Sequence, residues 1–182
     1  MTPSAREATF AGGCFWCMET PFEGLEGVED VTVGYTGGDV EDPSYEQICT
    51  GTTGHYEAAR IRHDPDRIRY GELLEVFWRN VDPTDAHGQF ADRGPQYRTA
   101  IFVHDEEQRE AAERSKRELQ ASGRLDGPVV TEILDAGPFW PAEEHHQDYH
   151  EKRPLRYRTY RVACGRPARL RELWGEEAGK GG

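Results

Sequence analysis

The chain has no apolar run approaching the ~20 residues that span a bilayer, so no transmembrane helix is expected. Its first residues, Met1-Thr2-Pro3-Ser4-Ala5-Arg6, lack the apolar core of an export signal. Positive charge is the scarcer sign. Lys and Arg total 22 against 34 Asp and Glu, a net charge of −12. Nucleic acid is therefore not expected as a partner, because a phosphate-binding surface needs clustered cations. Four cysteines in 182 residues are too few for a disulfide-stapled scaffold. A reducing, cytoplasmic setting with cysteines that do chemistry is the joint expectation. What is present is 36% hydrophobic residues with 20 Gly and 11 Pro, a loop-rich globular composition. The length suits one domain over residues 1–182, with 1–6 and 176–182 read as mobile tails. One stretch reverses the charge balance: Arg153, Arg156, Arg158, Arg161, Arg166, Arg169 and Arg171, read as a solvated tail or rim.

Periodicity organises the rest. Thr9-Phe10 ends a short strand that runs into Gly12-Gly13, a tight turn before a helix over residues 14–22 that Pro21 shortens or kinks. Val31, Val33 and Tyr35 share a face at strand period. Residues 55–63 alternate likewise, with Glu57, Ala59 and Ile61 on one side. Tyr70, Leu73, Leu74, Phe77 and Trp78 recur at helical spacing. A strand is expected over residues 98–104, then a helix that Asp105 begins and Gly123 ends, with Gln108 in the capping-box position. Residues 129–134 read as a strand, 141–152 as a helix or helical turn, and 167–174 as a last short helix. Strands alternating with helices predict an α+β fold, a mixed sheet with helices packed on it.

The chemistry concentrates in Gly12-Gly13-Cys14-Phe15-Trp16-Cys17. A cysteine between a glycine turn and a helix start meets unpaired N–H groups and the positive end of the helix dipole, which favour a thiolate. A buried structural cysteine is the bland alternative. Cys14 and Cys17 have C-x-x-C spacing, which suits a dithiol or half a zinc site, but no second close pair completes a zinc pattern. His146 and His150 could share a helix face, read as solvated. Glu57 is the second signal: its strand face carries a carboxyl inward, and burial would hold it protonated near neutral pH. Tyr45 and Tyr97 lie in turn-rich surroundings, able to donate hydrogen bonds into a site or simply to pack.

Together these segments resemble the A-type peptide methionine sulfoxide reductases. The resemblance rests on Gly13-Cys14-Phe15-Trp16, Gly54-His55-Tyr56-Glu57-Ala58, Asp92-Arg93-Gly94-Pro95-Gln96-Tyr97-Arg98, and the block from Pro141 to Tyr149, in order over residues 8–175. It implies a single-domain, two-layer α+β sandwich: a mixed sheet with a ferredoxin-like core and long loops. It further implies reduction of methionine S-sulfoxide, free or in proteins, without metal or flavin, through a sulfenic acid and an intramolecular disulfide that thioredoxin recycles. Carried onto this chain, Cys14 is the nucleophile and Glu57 the acid that protonates the sulfoxide oxygen. Tyr45, Tyr97 and Asp92 orient that oxygen, and Phe15 and Trp16 hold the substrate methyl group. The chemistry agrees, because a sulfoxide sulfur is a poor electrophile until its oxygen is protonated or strongly hydrogen-bonded.

The chain departs from the family at the resolving thiol. Many members carry a cysteine after a Gly-Tyr pair near the C-terminus, where this chain has Arg156-Tyr157-Arg158, and Cys164 is displaced from that place. Cys17 stands where many relatives have Gly. Cys164 is the favoured resolver, because Arg161 and Arg166 should stabilise its thiolate and because a Cys14–Cys17 bridge must fit a helix start. Two rival readings stay open: a C-x-x-C oxidoreductase acting on protein disulfides, and a zinc-binding interaction module.

Overall fold

The computed structural model describes residues 5–181. The chain opens β1 (Arg6–Gly12), α1 (Phe15–Glu23), β2 (Val28–Thr36), α2 (Tyr45–Cys49), β3 (Tyr56–His63) and α3 (Tyr70–Arg79). Then come the short strands β4 (Gly88–Gln89) and β5 (Asp92–Arg93), β6 (Thr99–Val103), α4 (Glu106–Ala121), β7 (Glu132–Asp135) and β8 (Phe139–Pro141). Three helices finish it: α5 (Tyr149–Lys152), α6 (Pro154–Ala163) and α7 (Arg166–Trp174).

The main sheet runs β7-β6-β1-β3-β2-β8. Its centre, β6-β1-β3-β2, is antiparallel and joins β1-α1-β2-β3-α3-β6 in the split β-α-β order of a ferredoxin-like fold. β7 adds parallel to β6 and β8 antiparallel to β2, so the sheet is mixed. Alternation on the central strands explains the two faces. Phe10 points to the helical layer, where its ring stacks on Phe22 at 5.5 Å and Phe77 at 5.0 Å. The opposite face carries a smaller cluster of Ala11, Tyr56, Ala58, Ala100 and Phe102. Burying each large apolar side chain in these clusters stabilises the fold by ~1.5–3 kcal/mol.

Several expectations change. Val129–Thr131 bonds away from the sheet: Val129 N–H donates to Gln120 and Val130 N–H to the Pro83 carbonyl, so β7 starts later. Residues 141–152 are not one helix: Pro141 closes β8, a 3-10 turn covers Glu144–His146, and only Tyr149–Lys152 is helical. The basic run is a rim rather than a tail, with Arg153, Arg156, Arg158 and Arg171 exposed. It forms α6 and α7, with Arg166 buried. Nor are residues 176–180 loose. Gly175–Glu177 makes a 3-10 turn, Gly179 N–H donates to the Arg79 carbonyl, and Lys180 pairs with Glu75 at 2.9 Å. Of residues 1–6, Arg6 already belongs to β1, while residues 1–4 and 182 lie outside the described part. α2 was not foreseen, although Ser44 and Gln47 cap it reciprocally. α4 follows expectation at its start, where Asp105 accepts from Gln108 N–H, but the Gln108 side chain accepts from His104 rather than closing the box.

Candidate active site

The site lies where β1 turns into α1. Gly13 has φ +87°, and a Cβ there would stand 2.6 Å from Gln89 Cβ and 2.9 Å from Arg166 Nη2. Only glycine suits both the backbone and the close approach. Cys14 follows as the N-cap residue of α1, 5% exposed, and no side chain of its own caps the helix. The cap comes from β3 instead. Phe15 N–H donates to Glu57 Oε1 at 3.2 Å, which ties the carboxyl to the first turn beside Cys14.

Glu57 is 1% exposed, and its Oε2 has no partner among the described residues. Burial pushes its carboxyl up to about 8; the Phe15 hydrogen bond opposes this, and Asp92 and Cys17 add to it. At neutral pH Glu57 therefore carries a proton, and its Oε2 is the oxygen left without a partner among the described residues. Tyr45, at the start of α2, and Tyr97, in the 3-10 turn Pro95–Tyr97, both feel Glu57 as their leading charged neighbour. Burial raises both phenols further, so they stay as donors. Asp92, on β5, accepts from the Tyr160 hydroxyl and acts electrostatically on Glu57, Cys14 and Cys17. Phe15 is fully buried, with Tyr35 at 5.7 Å and His146 at 5.5 Å. Trp16 stacks on Tyr149 at 4.0 Å and donates from Nε1 to His146 Nδ1 at 3.2 Å. Cys14, Cys17 and Tyr157 form a buried cluster edged by Trp16, Tyr149 and Tyr160.

The thiols differ from expectation. Burial raises Cys14 well above the ordinary thiol range, outweighing the helix-start environment. Cys17 is lowered to about 6, first by a hydrogen bond from Cys14 and then by Arg166 and Arg161. The two thiols thus influence each other's ionisation, and Arg166 and Arg161 draw negative charge toward Cys17. Cys164, the C-cap residue of α6, is also buried, and its thiol donates to the Arg161 carbonyl at 3.2 Å. Burial raises it despite Arg166, so the arginines expected to stabilise a Cys164 thiolate serve Cys17 more.

Sequence reasoning assigned no site role to Tyr149, Tyr157, Tyr160 and His146, and it placed Arg166 beside the Cys164 thiolate rather than Cys17. His146 and His150 do not share a solvated face: His146 is buried against Trp16, and His150 bridges Glu19 at 3.5 Å and Glu23 at 3.1 Å. Arg166 is 1% exposed, donates to the carbonyls of Asn80 at 2.7 Å and Gly12 at 2.9 Å, and lies over the Phe90 ring. Among the described residues, none of the side-chain groups arranged to hold a metal includes a cysteine.

A thiol pair at a helix start, a protonated carboxyl facing it, and donors around the carboxyl define a thiol-dependent reductase on a ferredoxin-like α+β scaffold. The family model for peptide methionine sulfoxide reductase matches residues 6–178, and the chain belongs to that family. It is 55% identical over 170 residues to a peptide methionine sulfoxide reductase MsrA of Bacillus licheniformis, covering 93% of this chain and 94% of that protein. The Bacillus subtilis protein of the same name is 52% identical over 175 residues, covering 96% and 99%. Among solved structures, the reduced form of Mxr1 from Saccharomyces cerevisiae superposes with a TM-score of 0.78 at 31% identity, over 84% of this chain and 87% of that one. Methionine sulfoxide reductase A of Corynebacterium diphtheriae gives 0.75 at 34% identity, over 84% and 77%.

Proposed function

We propose that this chain reduces methionine S-sulfoxide, free or in proteins, to methionine, with Cys14 as nucleophile and Glu57 as acid. The observation that carries the reading is the buried, protonated Glu57 tied to the first turn after Cys14. Glu57 gives its proton to the sulfoxide oxygen, with Tyr45, Tyr97 and Asp92 orienting it. Cys14 passes its proton to the Cys17 thiolate and attacks sulfur. Oxygen moves to Cys14 as a sulfenic acid, and methionine leaves two electrons richer. Phe15 and Trp16 supply an aromatic wall for the S-methyl group, whose shape admits one epimer.

The sulfenic acid is resolved by a thiol attacking Cys14 sulfur and expelling water. Cys17 takes that step first in this proposal, reversing the order expected from sequence, because it packs with Cys14 in one buried cluster, whereas Cys164 lies outside that cluster and is bonded to its own helix. Cys164 then exchanges with the Cys14–Cys17 disulfide, and a thioredoxin-type dithiol returns the enzyme to its reduced form. Four free cysteines suit a reducing cytoplasm. No helix among the described residues is long and apolar enough to cross a membrane. The test is single-turnover reduction of a racemic methionine sulfoxide peptide, followed by chiral analysis of what remains. Consumption of the S epimer by wild type and its loss in a folded Cys14→Ser protein are expected. Equal consumption of both epimers overturns the pocket, and full activity in Cys14→Ser overturns the mechanism.

A further inference from the structure

The basic run singled out in the sequence borders the reacting thiols. An open groove of about 710 Å³ is walled by Trp16, Tyr149 and Tyr160, which edge the cluster holding Cys14, and by Lys152, Arg153 and Arg156. A second groove of about 660 Å³ lies along α6, shares Lys152, Arg153, Arg156 and Tyr160, and is floored by apolar groups. Leu155 there is 78% exposed. The two arginines therefore stand on a ridge between the aromatic pocket and an exposed apolar channel.

We propose that this ridge receives the chain on either side of an oxidised methionine and selects peptides with Asp or Glu beside it. The proposal rests on the sulfoxide reductase reading and names its substrate class. Lys152 is paired with Glu144 at 3.3 Å, but Arg153 and Arg156 pair with no carboxylate among the described residues. Fold stability does not account for them. Arg153 caps α6 and Arg156 lies in its first turn, where cations oppose the helix dipole, and that turn has no acidic residue. The molecule as a whole carries a charge of −12, which repels an acidic peptide. Two unpaired guanidinium groups beside the thiol pocket reverse that field locally and offer forked donors to a carboxylate. Leu155 supplies apolar surface for the adjoining residue.

The test compares kcat/KM for three methionine sulfoxide peptides of equal length, flanked by Glu, by Ala or by Lys. Each is assayed with wild type, the R153E/R156E protein and R158E, the last altering an exposed arginine that lines neither groove. Exposed pairs are individually weak, so the Glu-over-Lys ratio should be about 5- to 10-fold in wild type at low salt. It should shrink in 0.5 M salt through screening. It should fall to one or below in R153E/R156E and persist in R158E. A wild-type ratio of one, or a ratio that survives R153E/R156E, overturns the proposal. So does a double variant that keeps the ratio and loses only recycling by thioredoxin, since the ridge would then serve the reductant. Turnover of the Ala-flanked peptide by wild type tests the reductase reading separately.

Discussion

At the scale of single residues, the site is an arrangement of protons. Cys17 near 6 and Glu57 near 8 bracket the pH range in which one thiolate and one carboxylic acid coexist. The reductase step should accordingly follow a bell, falling below about 6 as the thiolate is protonated and above about 8 as Glu57 ionises. Single-turnover rates across pH check this. Glu57→Gln should slow the step by ~100-fold or more and remove the alkaline limb, because the amide does not titrate. Replacing Arg166 by Gln should move the acid limb to higher pH, read as the pH dependence of thiol alkylation, since its charge is the leading cationic influence on Cys17. Glu57 was legible because strand alternation directs it inward on β3 whatever the rest of the chain does. Arg166 was not. Its burial depends on carbonyls of Gly12 and Asn80, residues distant in sequence that only the fold brings to it.

At the scale of elements, short-range signals carried well where periodicity was strong. α3 buries one face as its apolar spacing predicts, and β2 and β3 follow theirs on the helical side, although β3 also buries Tyr56 and Ala58 on the opposite face. α6 was illegible because its mean character is charged and only Tyr157 among its residues is buried. α2 is only five residues long, too short to show a period, yet its reciprocal cap holds Tyr45 at the first helical position. Ser44→Ala should therefore cost ~0.5–2 kcal/mol if the cap is as strong as is usual. It should also lower the reductase step by loosening Tyr45, whereas a stability change with an unchanged rate would detach Tyr45 from the chemistry. Denaturant melts paired with single-turnover assays separate the two. In the core, Phe10→Ala removes a ring stacked on Phe22 and Phe77 and should destabilise by ~3–5 kcal/mol.

For the whole molecule, the ferredoxin-like order of β6-β1-β3-β2 brings β1, β3 and the distant α6 to one end, so Glu57 reaches the first turn after Cys14 and Tyr157 of α6 packs on Cys14 and Cys17. Cys17→Ser should slow the single turnover, because it removes the base that takes the Cys14 proton, and should block recycling, whereas Cys164→Ser should let the Cys14–Cys17 disulfide accumulate. Mass-spectrometric mapping after one equivalent of sulfoxide distinguishes them, and normal recycling in Cys17→Ser restores Cys164 as first resolver. The same end of the molecule carries its own lamp. Of four tryptophans, Trp16 alone is adjacent to the thiol cluster, stacked on Tyr149 and hydrogen-bonded to an imidazole. Sulfur oxidation a few atoms away alters the quenching of that indole, so emission at the red edge of tryptophan excitation should rise and fall with each catalytic cycle. The enzyme's redox state can then be followed in real time, in an unlabelled solution.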